Sequence, residues 1–301
     1  YNFLDLSLWR KERSALPFFI LRMEIFVLSL GFLGILFILY LIFVNTHIKT
    51  NKITISSSKI PDSFDNYKIV FLSDLHDCSL GTKSRKRLLR AVGKSCPDVI
   101  FLGGDMHEKE NRDKAYFSLL DSLGRIAPIY FVEGNHEIKL RKRRDFKKYS
   151  SEFEKRVFNL NGRTPLVKGG KSINLYGCGY FEYEKNLFDF DKKVFSIFLC
   201  HSPFVFDDLL SFPDLMLSGH VHGGIIELPF VGAVFAPGDG RSLFKRFRKE
   251  FFFPKYYKNS YEKEGSTLVV GRGLGNFKYC PIRLIFPEIV EITLNSKNFL
   301  Q

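Results

Sequence analysis

Residues Ile25 to Val44 read IFVLSLGFLGILFILYLIFV, twenty residues without a charge. At ~1.5 Å per residue a helix of that length spans ~30 Å, the thickness of a bilayer core. A cleaved signal peptide has a shorter apolar core and a small-residue cleavage site. Val44-Asn45-Thr46-His47 is a poor site of that kind, and no twin-arginine pair precedes the run. An uncleaved single-pass transmembrane helix is therefore expected over 25–44. Residues 1–24 flank it, 45–66 form a polar linker with room for one strand, and one domain fills 67–301. Sidedness stays open: Arg10, Lys11, Arg13 and Arg22 precede the span and Lys49, Lys52 and Lys59 come after it, too even a split for the positive-inside rule. Tyr1 in place of Met is expected of a trimmed start.

After the span, short apolar runs alternate with polar segments. Tyr67–Ser73, Asp98–Gly103, Ile129–Glu133, Ile173–Cys178, Val194–Cys200, Asp214–Ser218, Thr267–Gly271 and Ile289–Leu294 read as buried strands. Lys83–Lys94, Asp113–Leu123 and Arg144–Phe158 read as helices. Strand–helix alternation and then strands with few helices predict an α/β fold built as a sheet sandwich. With 45% hydrophobic and 26% charged residues the chain can bury a core, which excludes wholesale disorder, a collagen or a polytopic membrane protein. A net charge of +13 and 33 Phe residues point to an anionic partner and an apolar contact surface. The five Cys are scattered without a CxxC pair, which favours free thiols in a reducing compartment over a disulfide framework or zinc ribbon.

The residues able to do chemistry stand at the ends of these strands. Asp74 and His76 come just after the first run, Asp105 after the second, Asn135 and His136 after the third, His201 after the fourth. His220 and His222 stand in Ser218-Gly219-His220-Val221-His222-Gly223-Gly224. Ligand sites of α/β sheets lie beyond the carboxyl ends of strands, and five of the seven His fall there with two Asp and an Asn. Asp74, His76, Asp105, Asn135, His201, His220 and His222 are seven oxygen or nitrogen donors, too many for one metal. They suit a pair of divalent ions sharing one carboxylate, which can clamp a phosphoryl group and activate water. Mixed imidazole, carboxylate and amide donors suit Mn, Fe, Zn or Co better than magnesium. Each short motif alone reads as a hydrogen-bonded loop or a turn; only the ordered set carries the metal reading.

That set, Asp74-x-His76, Gly104-Asp105, Gly134-Asn135-His136-Glu137, His201 and Gly219-His220-x-His222, resembles the signature of the calcineurin-like metallophosphoesterases over about residues 67–294. Gly223-Gly224, Leu228-Pro229, Ala236-Pro237-Gly238, Gly271-Arg272-Gly273-Leu274-Gly275, Pro281-Ile282-Arg283 and Pro287-Glu288 resemble its membrane-associated YkuE- and YaeI-like branch. The resemblance implies a two-sheet α/β sandwich with the metals at one edge. It implies that Asp74, His76 and His222 hold one metal, that Asn135, His201 and His220 hold the other, and that Asp105 bridges them. It also implies that His136 is catalytic, contacting the phosphate or protonating the leaving oxygen. Asp77-Cys78-Ser79-Leu80 depart from the glycine many members carry after the first motif, so this loop is expected to shape the pocket. His107 is expected behind the metals; His47 has no assigned role.

Two charge runs bear on the substrate. Lys139 to Lys148 holds seven cations in ten residues and reads either as a solvated helix face or, being next to the metals, as a phosphate contact through Arg141, Arg143 and Arg144. Arg241 to Lys258 interleaves cations with aromatics, among them Lys245, Arg246, Phe251, Phe252 and Phe253. Such a stretch can bind single-stranded nucleic acid or lie on a membrane; the expected anchor favours the membrane, with no nucleic acid and no protein partner inferred. A tethered catalytic domain with that collar is expected to act on an amphiphilic anionic phosphate at the bilayer. Within the resemblance this implies a UDP-2,3-diacylglucosamine pyrophosphatase of the LpxG type, using two divalent ions, first of all manganese. It would release UMP and a lipid monophosphate for lipid A synthesis on the cytoplasmic side of the inner membrane, by in-line attack of activated water without a covalent intermediate. A broader phosphodiesterase or phosphatase of lipid and envelope phosphates is the alternative. A catalytically dead tethered scaffold is a third, disfavoured because no ligand position is missing.

Overall fold

The computed structural model describes residues 6–141, 146–180, 189–209, 211–228, 230–237, 252–275 and 282–297. It divides into two units, Tyr1–Phe43 and Val44–Gln301. The first is occupied by helix α1 (Leu6–Thr46), which runs beyond both ends of the expected 25–44 span. Its segment Ile20–Thr46 reaches a mean hydropathy of 2.8, and its most apolar stretch has no residue buried, so this one helix is long and apolar enough to cross a membrane.

The second unit is an α/β sandwich of two six-stranded sheets. The first sheet runs in the order β1 (Lys49–Ser57), β14 (Glu288–Ser296), β2 (Tyr67–Leu72), β3 (Val99–Leu102), β4 (Ile129–Phe131), β5 (Phe158–Asn159). The second runs β12 (Asn259–Lys263), β13 (Ser266–Val270), β9 (Leu215–Ser218), β8 (Ser196–Cys200), β7 (Lys171–Cys178), β6 (Gly162–Lys168). A separate hairpin joins β10 (Ile226–Leu228) to β11 (Gly232–Phe235). The period-two rule of a strand decides where each apolar residue goes. In β2, Ile69 and Phe71 enter the core between the sheets, while Val70 and Leu72 face helices α2 (Thr82–Ser95) and α3 (Asp113–Gly124). In β8, Ile197 and Leu199 enter that inner core, and Phe198 and Cys200 join a third cluster with Phe206 and Tyr256. Both faces are covered, which is why these strands read as unbroken apolar runs.

The strand for which residues 45–66 had room is β1, which pairs with β14 along its whole length and places Ile53 and Ile55 on the inner core. Two features differ from the sequence reading. The helix expected over 144–158 is α5 (Phe146–Glu154), and Phe158 instead pairs with Tyr130 as β5; residues 142–145 lie outside the described set. Many Phe serve the interior and not a contact surface: Phe64, Phe71, Phe101, Phe131, Phe190, Phe195, Phe198 and Phe206 are all among the largest fully buried side chains.

Candidate metal centre

Strands β2, β3 and β4 run parallel in one sheet, and β8, β9 and β13 run parallel in the other. Their carboxyl-terminal loops interlock. The Asp74 N–H donates to Gly104 O (3.0 Å), Gly219 N–H to His201 O (3.1 Å), and Leu274 N–H to Ser73 O (3.1 Å). Asp74, His76, Asp105, His220 and His222 all hold left-handed backbone, with φ of 50°, 47°, 53°, 72° and 52°. Such positions cost of order 1–3 kcal/mol each and gather at functional sites. Gly134 is required beside them, because a Cβ there would collide with the Asp105 carboxylate.

Three ligand groups result: Asp74, His76 and His222; Asp105, His201 and His220; and His76, Asp105 and His136. Within each, the donor atoms lie within 4.8 Å of one another. His76 Nε2 sits 3.1 Å from His222 Nε2, and His201 Nε2 sits 3.2 Å from His220 Nδ1 and 3.3 Å from Asp105 Oδ2. Asp105 thus belongs to the group of His201 and His220 and to that of His76 and His136, and it meets the Asp74 and His222 group through the shared His76. One end of the Asn135 amide lies 3.2 Å from both His220 Nδ1 and Asp105 Oδ2, and Lys139 Nζ is 3.3 Å from the other end. Turning the nitrogen inward lets the amide donate to both. Turning the oxygen inward makes a third acceptor aimed at one point, which a cation would hold. Buried lone pairs converging in this way, on mixed nitrogen and oxygen donors, fit two divalent ions of the transition series.

Electrostatics agree. Burial opposes charge on Asp105, yet the neighbouring His201, His76 and His136 imidazoles draw its carboxyl well below the usual range. Burial would lower His201 too, but Asp105 and Asp74 push it up to about 10. Burial, with the His76 and Arg283 charges nearby, holds His222 well below its ordinary value, as a neutral imidazole. In the metal-free protein, protons occupy part of the space that cations would take, so metal uptake must release them.

A layer behind these groups sets their orientation. His201 Nδ1 donates to Gly103 O at 2.7 Å, which turns its Nε2 toward Asp105. The Tyr180 hydroxyl lies 3.4 Å from His220 Nε2. Glu137, itself buried, accepts N–H bonds from Asp105 (2.8 Å), Met106 (2.7 Å), His107 (3.1 Å) and Gly134 (3.0 Å), pinning the Asp105 loop to α4 (Asn135–Arg141). Glu108 Oε1 lies 2.5 Å from His76 Nδ1 and 2.7 Å from His136 Nδ1. Although partial burial opposes it, these two imidazoles hold the Glu108 carboxyl far below its ordinary value. Arg283 donates to Gly275 O and Arg272 O, its backbone pairs with the Asn45 amide (2.9 and 3.0 Å), and Gly275 N–H reaches Asp74 O at 2.6 Å. Glu108, Glu137, Tyr180 and this Arg283 clamp were missed as functional residues in the sequence. The signal for the first two was a carboxylate at short offset from a ligand motif; Tyr180 and Arg283 reach the site only through folding.

The remaining candidates divide. His136 Nε2 lies 3.9 Å from Asp105 Oδ2, with a partly exposed ring facing the same space. His107 touches no ligand; it is fully buried between Asp77 Oδ1 (2.5 Å) and Asp113 Oδ1 (2.6 Å). Asp77, expected to line the pocket, turns inward and also accepts the Glu108 and Lys109 N–H groups (3.2 and 3.0 Å). Arg141 pairs with Glu133 at 3.2 Å. Phe252 and Phe253 are exposed. Arg143, Arg144, Lys245, Arg246 and Phe251 lie outside the described residues.

Comparison with known proteins agrees with this geometry. Residues 67–224 match the pattern of the calcineurin-like phosphoesterases. The chain is 29% identical to the uncharacterised metallophosphoesterase YkuE of Bacillus subtilis over 83% of its own length and 87% of that protein's. It is 27% identical to an uncharacterised metallophosphoesterase of Aquifex aeolicus, covering 87% of this chain and 99% of the relative. It is 28% identical to the phosphodiesterase YaeI of Escherichia coli, covering 58% of this chain and 68% of the relative.

Proposed function

The chain belongs to the calcineurin-like phosphoesterase family, a family of dinuclear metal-dependent hydrolases, and on that premise we propose that it is a membrane-anchored phosphohydrolase of amphiphilic phosphates. The observation that carries the reading is the chain of three ligand groups, in which Asp105 is shared with the His201 and His220 group and His76 with the Asp74 and His222 group. Asp74, His76 and His222 would hold one divalent ion, Asn135, His201 and His220 the other, with Asp105 between. Two such ions neutralise phosphoryl oxygens and make water a better nucleophile at neutral pH. His136 presents Nε2 to that space and would, as the doubly protonated imidazolium, hand its Nε2 proton to the departing oxygen, while the Glu108 contact at Nδ1 holds the ring in place. Glu137 and Arg283 act at one remove, holding the Asp105 and Asp74 loops.

The proposed substrate is UDP-2,3-diacylglucosamine, cleaved at its diphosphate to UMP and a lipid monophosphate at the cytoplasmic face of the inner membrane. Support comes from α1, which can span a bilayer, from the +13 charge and from the exposed Phe252 and Phe253. A second reading, a broader phosphodiesterase of lipid or envelope phosphates, is favoured by the name of the E. coli relative. The test incubates the full chain in detergent with manganese against nucleotide lipids and simple phospholipids, with products read by mass spectrometry. UMP release alone is the expected result. Hydrolysis of simple phosphodiesters without UMP would replace the substrate by the second reading.

A further inference from the structure

The β10–β11 hairpin begins four residues after His222. Its base is fixed: Glu227 pairs with Lys258, and Arg272 reaches Glu227 at 3.7 Å and Glu288 at 3.6 Å. Arg272 belongs to the loop that touches Asp74, so the hairpin is tied to the metal-facing side. Phe252 extends it as a third rung, bridging Phe235, and the Phe253 N–H donates to Val234 O at 3.1 Å. Phe230 and Val231 form the turn.

This finger is the most apolar exposed element of the catalytic unit. Among the described residues from Val44 onward, seven large hydrophobics are exposed, and four of them are Phe230 (110%), Val231 (58%), Phe252 (49%) and Phe253 (62%). Exposed hydrophobics scattered singly need no explanation, but a cluster does. The backbone adds a second sign. Phe230 and Phe253 hold left-handed φ of 66° and 53°, a conformation that favours Gly or Asn and costs a bulky residue free energy. Among the described residues neither side chain is buried, so these bulky apolar groups hold a costly backbone while facing outward.

We infer that the finger inserts its Phe230–Val231 tip, with Phe253 beside it, into the acyl region of a lipid leaflet. The inference rests on the proposed membrane anchoring. Only His47 and Ile48 separate the end of α1 from β1, so a span ending there keeps the catalytic unit within reach of the leaflet, and the +13 chain is drawn to anionic lipid. A finger seated in lipid, and tied through Arg272 to the loop that touches Asp74, suits a phosphoester carried on an acyl chain of the same leaflet.

The test uses the single tryptophan of the chain. In a Trp9→Phe background, Phe230→Trp is reconstituted as the full chain into phosphatidylcholine–phosphatidylglycerol vesicles with or without bromine on the acyl chains. Phe253→Trp serves the same purpose should the first variant fail to fold. Blue-shifted emission quenched by brominated lipid is the expected result. Red-shifted emission, or blue emission insensitive to bromine, would place the tip in water or against protein and overturn the inference while leaving the phosphohydrolase reading intact. Protein that does not float with the vesicles would remove the anchoring and the inference together. In a second arm, Phe230→Ser with Val231→Ser should lower the ratio of turnover on a lipid-borne to a water-soluble phosphodiester roughly 10-fold or more, the worth of burying one large apolar side chain. An unchanged ratio would also overturn it.

Discussion

The metal-facing loops and the β10–β11 finger, into which the His220–His222 loop leads directly, are built on opposite rules. Around Asp105, polar groups are buried, and nearly every one is held by a specific partner: His201 by Gly103 O, His76 and His136 by Glu108, the loop backbone by Glu137. On the finger, apolar groups are exposed, and Phe230 makes the turn where a glycine would cost less. Both regions store backbone strain. In the loops its compensation is internal, through hydrogen bonds and, in the working protein, cations. In the finger the strained side chains face outward. Strain by itself does not mark function, since Cys96 at a helix end and Glu264 in a hairpin turn also hold left-handed backbone; the polarity, burial and neighbours of the strained residue decide its meaning.

The contrast between the two regions can be broken first at Asp105. It lies with His201 and His220 on one side and with His76 and His136 on the other, so as a shared ligand Asp105→Ala should cost more metal than Asn135→Ala and reduce turnover below detection; elemental analysis of the two variants checks this. Equal metal loss would mean Asp105 is not shared. Next is His136→Ala. It should retain both metals and lose about 10²–10⁴-fold in kcat, the usual worth of general acid catalysis. Loss of metal would make His136 a ligand.

Arg283 tests whether the buried layer is as rigid as its bonding implies. Arg283→Met strips the donors from Gly275 O and Arg272 O. At about 1–3 kcal/mol per orphaned buried carbonyl, it should destabilise the fold by roughly 3 kcal/mol in urea unfolding, with weaker metal retention through the Asp74 loop. Wild-type stability would show that the clamp is ornamental.

The pH response separates the two regions further. In chelator-treated protein His201 has a folded pKa of about 10, above its unfolded value of ~6.5. Its pairing therefore stabilises fully below pH ~6.5 and is lost as pH rises toward 10. The metal-free Tm should fall across that window, and metal should protect most at its upper end, where no proton has to be displaced. A Tm that rises with pH in the metal-free protein would reverse this sign. The smallest effect belongs to the finger. Phe252→Ser with Phe253→Ser should change folding stability by only ~0.5 kcal/mol, as exposed substitutions do. A large loss in thermal unfolding would make them core.

The strands and the donors after them were legible from the sequence, since both depend on local pattern. An apolar run of β2 or β8 length buried on two faces has few alternatives, and a residue just beyond it is placed by the strand itself. The 20-residue apolar run was equally local. What the chain order did not reveal was anything resting on partners far apart. The strand for which the linker had room is β1, but its partner was not legible, because its alternating, polar sequence is completed only against β14 at the far end of the chain. The helix expected to reach Phe158 stopped early because pairing with Tyr130 outweighed helical periodicity. His107 could be placed near the centre but not given its work, because Asp77 and Asp113 meet it only once the loops close. Arg283 depends on carbonyls at residues 272 and 275 and on Asn45 at the other end of the domain. Sequence alone determined which chemical groups stand at strand ends, because the period of a strand and the length of an apolar run act within a few residues. Only tertiary structure decided which of those groups meet, which backbone bonds hold them, and which Phe are core and which are surface, because burial and long-range hydrogen bonds are properties of packed neighbours and not of neighbours in the chain.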